Sequence, residues 1–138
     1  MTKINNIFNF LFNVRYNYKK NISELFSYLS VKLFLFFILS VNILSWLFAR
    51  YIDKQINDEL IALHYNVDFG INLMGSVKQI YILPWLGLII LIINFVLLIN
   101  INQSRERQFT AQILFITCLL ANLTLLISMG AIYLVNFR

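Results

Sequence analysis

A chain of 138 residues has room for one domain, and a make-up of 60% hydrophobic, 16% aromatic and 12% charged residues is far from that of a soluble globular protein. The net charge of +5 is spread along the chain with no Gly-rich or aromatic nucleic-acid module around it, so no nucleic-acid partner is expected. The composition predicts an all-α integral membrane protein: residues 1–138 as a single membrane domain, a three-helix bundle with an N-terminal interfacial amphipathic helix and membrane lipid as its surroundings.

Residues 1–30 read as a cytosolic interfacial segment. Ile4, Ile7, Phe8, Leu11 and Phe12 recur at helical spacing with Asn5, Asn9 and Asn13 on another side, the pattern of a helix lying flat on a membrane. The basic and aromatic stretch RYNYKKN follows, and each of its positive charges gains on the order of 1 kcal/mol against anionic headgroups. Asn21 with Glu24 three residues on has the form of a capping pair, and Ile22, Leu25, Phe26 and Leu29 carry a helical stripe toward the first long apolar run. A helix that binds another protein is the competing reading of this segment.

Three apolar runs, residues 31–49, 80–101 and 111–135, are each long enough to cross a hydrocarbon core of roughly 30 Å as a helix. The first is expected to be retained, because no small-x-small cleavage pattern follows SWLFARYIDKQ. Lys3, Arg15, Lys19, Lys20 and Lys32 flank its start, whereas the connection after it balances Arg50, Lys54 and Lys78 against Asp53, Asp58, Glu59 and Asp68. The short second connection carries Arg105 and Arg107. The Lys/Arg rule therefore puts the amino terminus and second connection in the cytoplasm, and the 50–79 loop and carboxyl terminus outside, in a membrane expected to be a bacterial plasma membrane. Trp46, Tyr51, Tyr81, Trp85 and Tyr133 fall at the span ends assigned to the outer face, as an aromatic belt would.

Within the 50–79 loop, Ile52, Ile56 and Leu63 keep a helical period, which predicts that the first helix protrudes and ends near HYNVDFG, where Asn66, Asp68 and Gly70 supply turn chemistry. Phe69, Ile71 and Leu73 then alternate with smaller or polar residues up to Gly75, too briefly to span a membrane. His64 and Asp68, four apart, could share a helix face and offer two metal ligands, but structural zinc takes four and catalytic zinc three plus water; no metal and no cofactor is expected. Acid–base chemistry at His64 lacks an accompanying nucleophile, phosphate loop or carboxylate pair. His64, Asp68, Gly70 and Gly75 are accordingly read as an ordered outer lid. Pro84 is tolerated in a first helical turn or makes a kink, and NQSRERQ is short enough to fold the second and third spans into an antiparallel hairpin.

Helices in lipid gain little from burying leucine against leucine, so small and polar residues mark their contact faces. In the third span Thr110, Thr117, Ala121, Thr124, Ser128 and Ala131 form one heptad-phase stripe with Leu114; Pro84, Gly87 and Asn94 do so in the second, and Asn42, Ser45 and Ala49 in the first. Each span also holds one asparagine at intermediate depth, Asn42, Asn94 and Asn122. At least two of these are expected to bond across helices, or to Ser45, Thr117 or Thr124, each bond contributing about 0.6 kcal/mol. Cys118 is a lone cysteine inside the third span, read as a packing residue.

LHYNVDFGINLMG, followed by IYILPWLGLIILIINF, resembles a group of small bacterial membrane proteins with three spans and a His-Tyr-Asn and Phe-Gly-Ile outer segment, over Leu63 to Phe95. Proline and aromatics often follow the second glycine in that group, where this chain has Ser76, Val77 and Lys78 after Gly75. The resemblance implies a three-span topology and a bacterial origin, and it carries no activity or site residue. The function expected is that of a noncatalytic accessory subunit or assembly and scaffold component, acting through a membrane-protein partner or self-association. A small transporter or channel whose pore forms in an oligomer is the alternative, and a membrane-surface enzyme using His64 ranks behind both.

Overall fold

A computed structural model describes residues 12, 15, 16, 18–56, 60–66, 68, 70–100 and 107–137. A short helix α1 (residues 18–25) is followed by α2 (Leu29–Gln55), a two-stranded antiparallel hairpin of β1 (Leu60–Asn66) and β2 (Gly70–Ser76), a 3-10 turn (Val77–Tyr81), α3 (Ile82–Asn100) and α4 (Arg107–Asn136). The segments Leu29–Gln55, Val77–Asn100 and Arg107–Asn136 are long and apolar enough to cross a membrane, so this is a multi-pass membrane protein built almost wholly from helices. Successive helices run in alternating directions, which gives the bundle a hairpin end and an α1 end.

The burial pattern follows from lipid as solvent. On α2 the buried positions are Val31, Ile38, Asn42, Ser45, Ala49 and Ile52, a single heptad stripe, while Phe36, Leu39, Ile43 and Leu47 face outward. On α3 Pro84, Gly87, Leu91 and Leu98 are buried and Ile89, Ile92, Ile93 and Val96 are not. An apolar exterior of this kind loses nothing against acyl chains, which leaves the interior free to hold small and polar groups. Toward the α1 end the interior is Leu25, Val31, Ile38, Leu91, Leu98, Ala111, Phe115 and Cys118; toward the hairpin end it is Ala49, Ile52, Ile80 and Met129.

Three expectations need correction. The first helix stops at Gln55, and Leu60–Asn66, expected as its continuation, is a β-strand paired with Gly70–Ser76. Ile52, Ile56 and Leu63 do sit at helical spacing, yet Leu60–Asn66 gains backbone partners along one edge from the alternating segment after Gly70, and that pairing outweighs the local period. Gly70 takes φ 72° where the hairpin turns, a region that glycine enters without steric cost. Second, the helical stripe expected to run from Ile22 through Leu29 toward the first span is broken after Leu25, which is fully buried on the bundle while Phe26 meets the edge of Phe95 at 6.2 Å. A turn at Phe26 and Ser27 separates α1 from α2. The stripe expected over Ile4, Ile7, Phe8 and Leu11 lies outside the described residues.

Third, the contact face of α4 is one residue out of phase with the stripe of small residues. Its buried positions are Arg107, Ala111, Phe115, Cys118, Asn122 and Met129, whereas Thr117, Thr124 and Ala131 are exposed and Thr110, Ala121 and Ser128 half-buried. A hydroxyl on a helix can bond the carbonyl one turn back, and these do: Thr117 to Ile113 O at 3.1 Å, Thr124 to Leu120 O at 2.9 Å and Ser128 to Thr124 O at 2.9 Å. Satisfied in this way, they need no neighbouring helix.

Candidate functional site

The most constrained polar arrangement lies at mid-bundle. Asn42 stands at the centre of the 27-residue α2 and Asn122 near the centre of the 30-residue α4, and both are almost fully buried. Asn42 Nδ2 donates to Pro84 O of α3 at 3.0 Å and to Asn122 Oδ1 at 3.2 Å, so one amide group ties α2 to both other spans. Asn122 Nδ2 donates to Cys118 O on its own helix at 3.0 Å and to Gly87 O at 3.4 Å. Gly87 makes this approach possible. A Cβ placed there would collide with Asn122 Oδ1 and come within 2.7 Å of Asn42 Nδ2. The α3 backbone is exposed to both amides only because no side chain stands in the way. In hydrocarbon each of these groups would be costly without a partner, and three spans are fixed in register by satisfying them together.

At the hairpin end a second amide performs a similar task on a strand. Asn136, at the last residue of α4, accepts from Ala62 N at 2.8 Å and donates to Ala62 O at 2.9 Å, matching the donor and acceptor of one strand residue as a neighbouring strand would. This fastens β1 over the end of α4. Between them is a half-open crevice of about 250 Å³ lined by Ala62, Leu63, His64, Ser128, Ala131, Ile132 and Val135. His64 Nδ1 lies 2.6 Å from Asn72 Oδ1 across the hairpin, where the strand register is locally irregular. Tyr81 donates to Asp53 Oδ2 at 3.1 Å, and Trp46 packs against Tyr81 and Trp85 with ring centroids 5.9 and 5.6 Å apart. The rings Phe48, Tyr51, Tyr133 and Phe137 cluster on another side of the same end.

The α1 end is closed by charge. Arg107, the first residue of α4, is 2% exposed and its Nη1 lies 2.7 Å from Glu24 Oε2, with Nη2 3.2 Å from Asn21 Oδ1. Asn21 Nδ2 donates in turn to Ile99 O at 3.0 Å, and Tyr18 Oη to Asn100 Oδ1 at 3.0 Å. The side chains expected to cap a helix at Asn21 and Glu24 instead link α1 to the ends of α3 and α4.

No family model matches this chain, and neither curated proteins nor solved structures give a significant match. Its site must therefore be judged on geometry alone. Of the residues expected at helix contacts, Asn42, Gly87 and Asn122 are brought together, and Ser45 is buried with its hydroxyl on Val41 O at 3.0 Å. Asn94 is half-buried and bonds Ile90 O of its own helix at 2.9 Å, while Thr117, Ala121, Thr124 and Ser128 stand apart from the clasp. Of the loop residues, Gly70 makes the turn, Gly75 is buried within β2, Asp68 lies in the turn and His64 pairs with Asn72. Arg107, Glu24, Asn136 and Asn72 were not singled out as site residues. The sequence marks Glu24 through its spacing from Asn21, Arg107 as a charge in the second connection and Asn136 as an amide at the end of an apolar run, but none of these signals names the partner. Among the described residues no group of three or more metal-ligating side chains converges.

Proposed function

We propose that this protein is a noncatalytic membrane component that acts through partner contacts, as an accessory subunit or an assembly and scaffold factor. The observation that carries this reading is the closure of the Asn42, Gly87 and Asn122 clasp within one chain. An oligomeric pore built on the asparagine faces requires those amides to line water between copies, yet their donors are already taken up by Pro84 O, Asn122 Oδ1, Cys118 O and Gly87 O. What remains on the lipid side of α4 is a strip with Thr117, Ala121, Thr124 and Ala131, small side chains that permit close approach of another helix. A membrane-surface enzyme is less well supported, since the one histidine is engaged with Asn72 and lies at a crevice lined mainly by aliphatic side chains.

By the Lys/Arg distribution we assign α1 and the connection between α3 and α4 to the cytoplasmic side and the hairpin to the outside of a bacterial plasma membrane. Purification from native membranes in mild detergent, followed by mass spectrometry, tests the partner reading. A stoichiometric partner, or a defined self-assembly, is expected with the wild-type chain and lost with Thr117→Leu/Thr124→Leu at unchanged thermal stability. A clean monomer that retains no partner overturns it.

A further inference from the structure

The hairpin stands beside the end of α4 and not above it. Asn136 holds Ala62 by two bonds at the last residue of the helix, and the crevice next to that clamp brings Ala62, Leu63 and His64 against Ser128, Ala131, Ile132 and Val135, all within the apolar run of the third span. Centred on a hydrocarbon core of roughly 30 Å, the 30 residues of α4, about 45 Å long, carry its final turn into the headgroups and leave Ser128, about 12 Å below Asn136, at the top of the acyl chains. The rings of Tyr133, Trp46 and Trp85 at this end mark the same boundary. β1 is therefore fastened at the height of the membrane surface.

What the hairpin exposes at that height is apolar. Leu60, Ile71, Leu73 and Met74 are each about half exposed or more, and residues 60–76 contain no lysine or arginine and one carboxylate, Asp68, in the turn. An open strand edge that meets water is usually guarded by charge, lysine above all, and β2 carries none. The cations stand instead at the roots of the hairpin, where the exposed Lys54 and Lys78 can lay their stems on apolar surface and raise their ammonium groups to lipid phosphate. We propose that the hairpin is an interfacial membrane anchor, with Ile71, Leu73 and Met74 inserted among the headgroups and upper acyl chains of the leaflet at that end. Ala131, at the crevice, shares a helix stripe with the exposed Ile127 and Leu134, so the surface joins the one that acyl chains already cover. β2 is also the open edge of a two-stranded sheet, and unpaired backbone groups are not sustained in hydrocarbon, so the strand stays at headgroup level while its side chains reach down. The anchor rests on the membrane-spanning helices and not on any protein partner.

The test uses the full-length chain in phosphatidylcholine nanodiscs, with Cys118→Ala so that one introduced cysteine carries an environment-sensitive nitrobenzoxadiazole label, and tryptophan-monitored melting as the folding control. At Leu73→Cys and at Met74→Cys the label should emit blue-shifted, resist quenching by aqueous iodide and be quenched more by a nitroxide near the top of the acyl chain than by one near its end. Leu120→Cys, exposed at mid-span, should show the opposite order of depth. Leu73→Asp/Met74→Asp should expel the hairpin, making a label at Ile71→Cys accessible to iodide while the bundle melts unchanged. Iodide quenching at positions 73 and 74 with no effect of either nitroxide overturns the proposal, because the hairpin then stands in water. A label reached by neither quencher overturns it as well, in favour of a hairpin covered by a second copy of the chain.

Discussion

Asn42 Nδ2 lies 3.2 Å from Asn122 Oδ1, joining the centres of α2 and α4 at the level where Gly87 brings the α3 backbone against both amides. The relationship is energetic as well as geometric, and a double-mutant cycle isolates it. Asn42→Ala and Asn122→Ala are each expected to lower stability by about 1 kcal/mol, with a coupling of about 0.6 kcal/mol between them, read from reversible unfolding in mixed detergent micelles. Strict additivity of the two losses would show that the amides do not interact.

Gly87 and Gly130 provide a matched pair for the role of close approach. A Cβ at Gly87 meets both asparagine side chains, whereas at Gly130 nothing lies within 4 Å. Gly87→Ala is expected to destabilise by about 1–3 kcal/mol, because the collision is with fixed amides in a packed interior. Gly130→Ala should be neutral or stabilising by up to about 1 kcal/mol, the helix-propensity difference. Melting curves that shift equally for both variants would remove the steric argument.

The three apolar spans and the seam on α2 were legible in the sequence because their physical causes are local, and a mid-span carboxamide's need for partners marked Asn42, Asn94 and Asn122 together without saying which two would meet. The seam on α4 was misread for a reason equally local. Thr117 and Thr124 look like interface residues, yet a hydroxyl satisfied on its own helix can face lipid at little cost, so smallness and polarity alone do not set the phase. Asn94 did the same through Ile90 O. The Glu24 to Arg107 pair was hidden because its partners lie 83 residues apart, whereas the hairpin is local and was masked by the helical spacing of Ile52, Ile56 and Leu63 running into its first strand.

The ion pair between Glu24 and Arg107 is the asymmetric kind, with one partner fully buried and the other about a third exposed. Removing only the acid takes the countercharge from a buried guanidinium whose Nη2 still donates to Asn21 Oδ1, so Glu24→Leu should loosen α1 more than Glu24→Leu combined with Arg107→Met, in which no charge is left behind. Solvent screening at Glu24 reduces the single-variant cost below the several kcal/mol of a fully buried pair. Cysteine accessibility at Leu25→Cys, slow in the parent and fast in Glu24→Leu, reports undocking directly. Equal rates in the two would mean that α1 is held by its apolar contacts and its bonds to Ile99 O and Asn100 without help from the ion pair.

Asn136 offers the sharpest separation of local from global stability. Its amide makes two bonds to Ala62 and a third to Ile132 O at 2.7 Å, but it stands at the last residue of α4, beyond the buried stripe that holds the spans together. Asn136→Ala should therefore free β1 from α4 and raise amide exchange at Ala62 by about five- to thirtyfold, the equivalent of 1–2 kcal/mol, while the unfolding midpoint of the bundle barely moves. Asn136→Asp keeps the acceptor for Ala62 N but sets a carboxylate oxygen against Ala62 O in place of a donor, so it should open the hairpin at least as far as alanine does. Hydrogen exchange resolved to the peptides covering 60–66 measures both variants, and protection at Ala62 unchanged in Asn136→Asp would show that the donor half of the clamp contributes nothing.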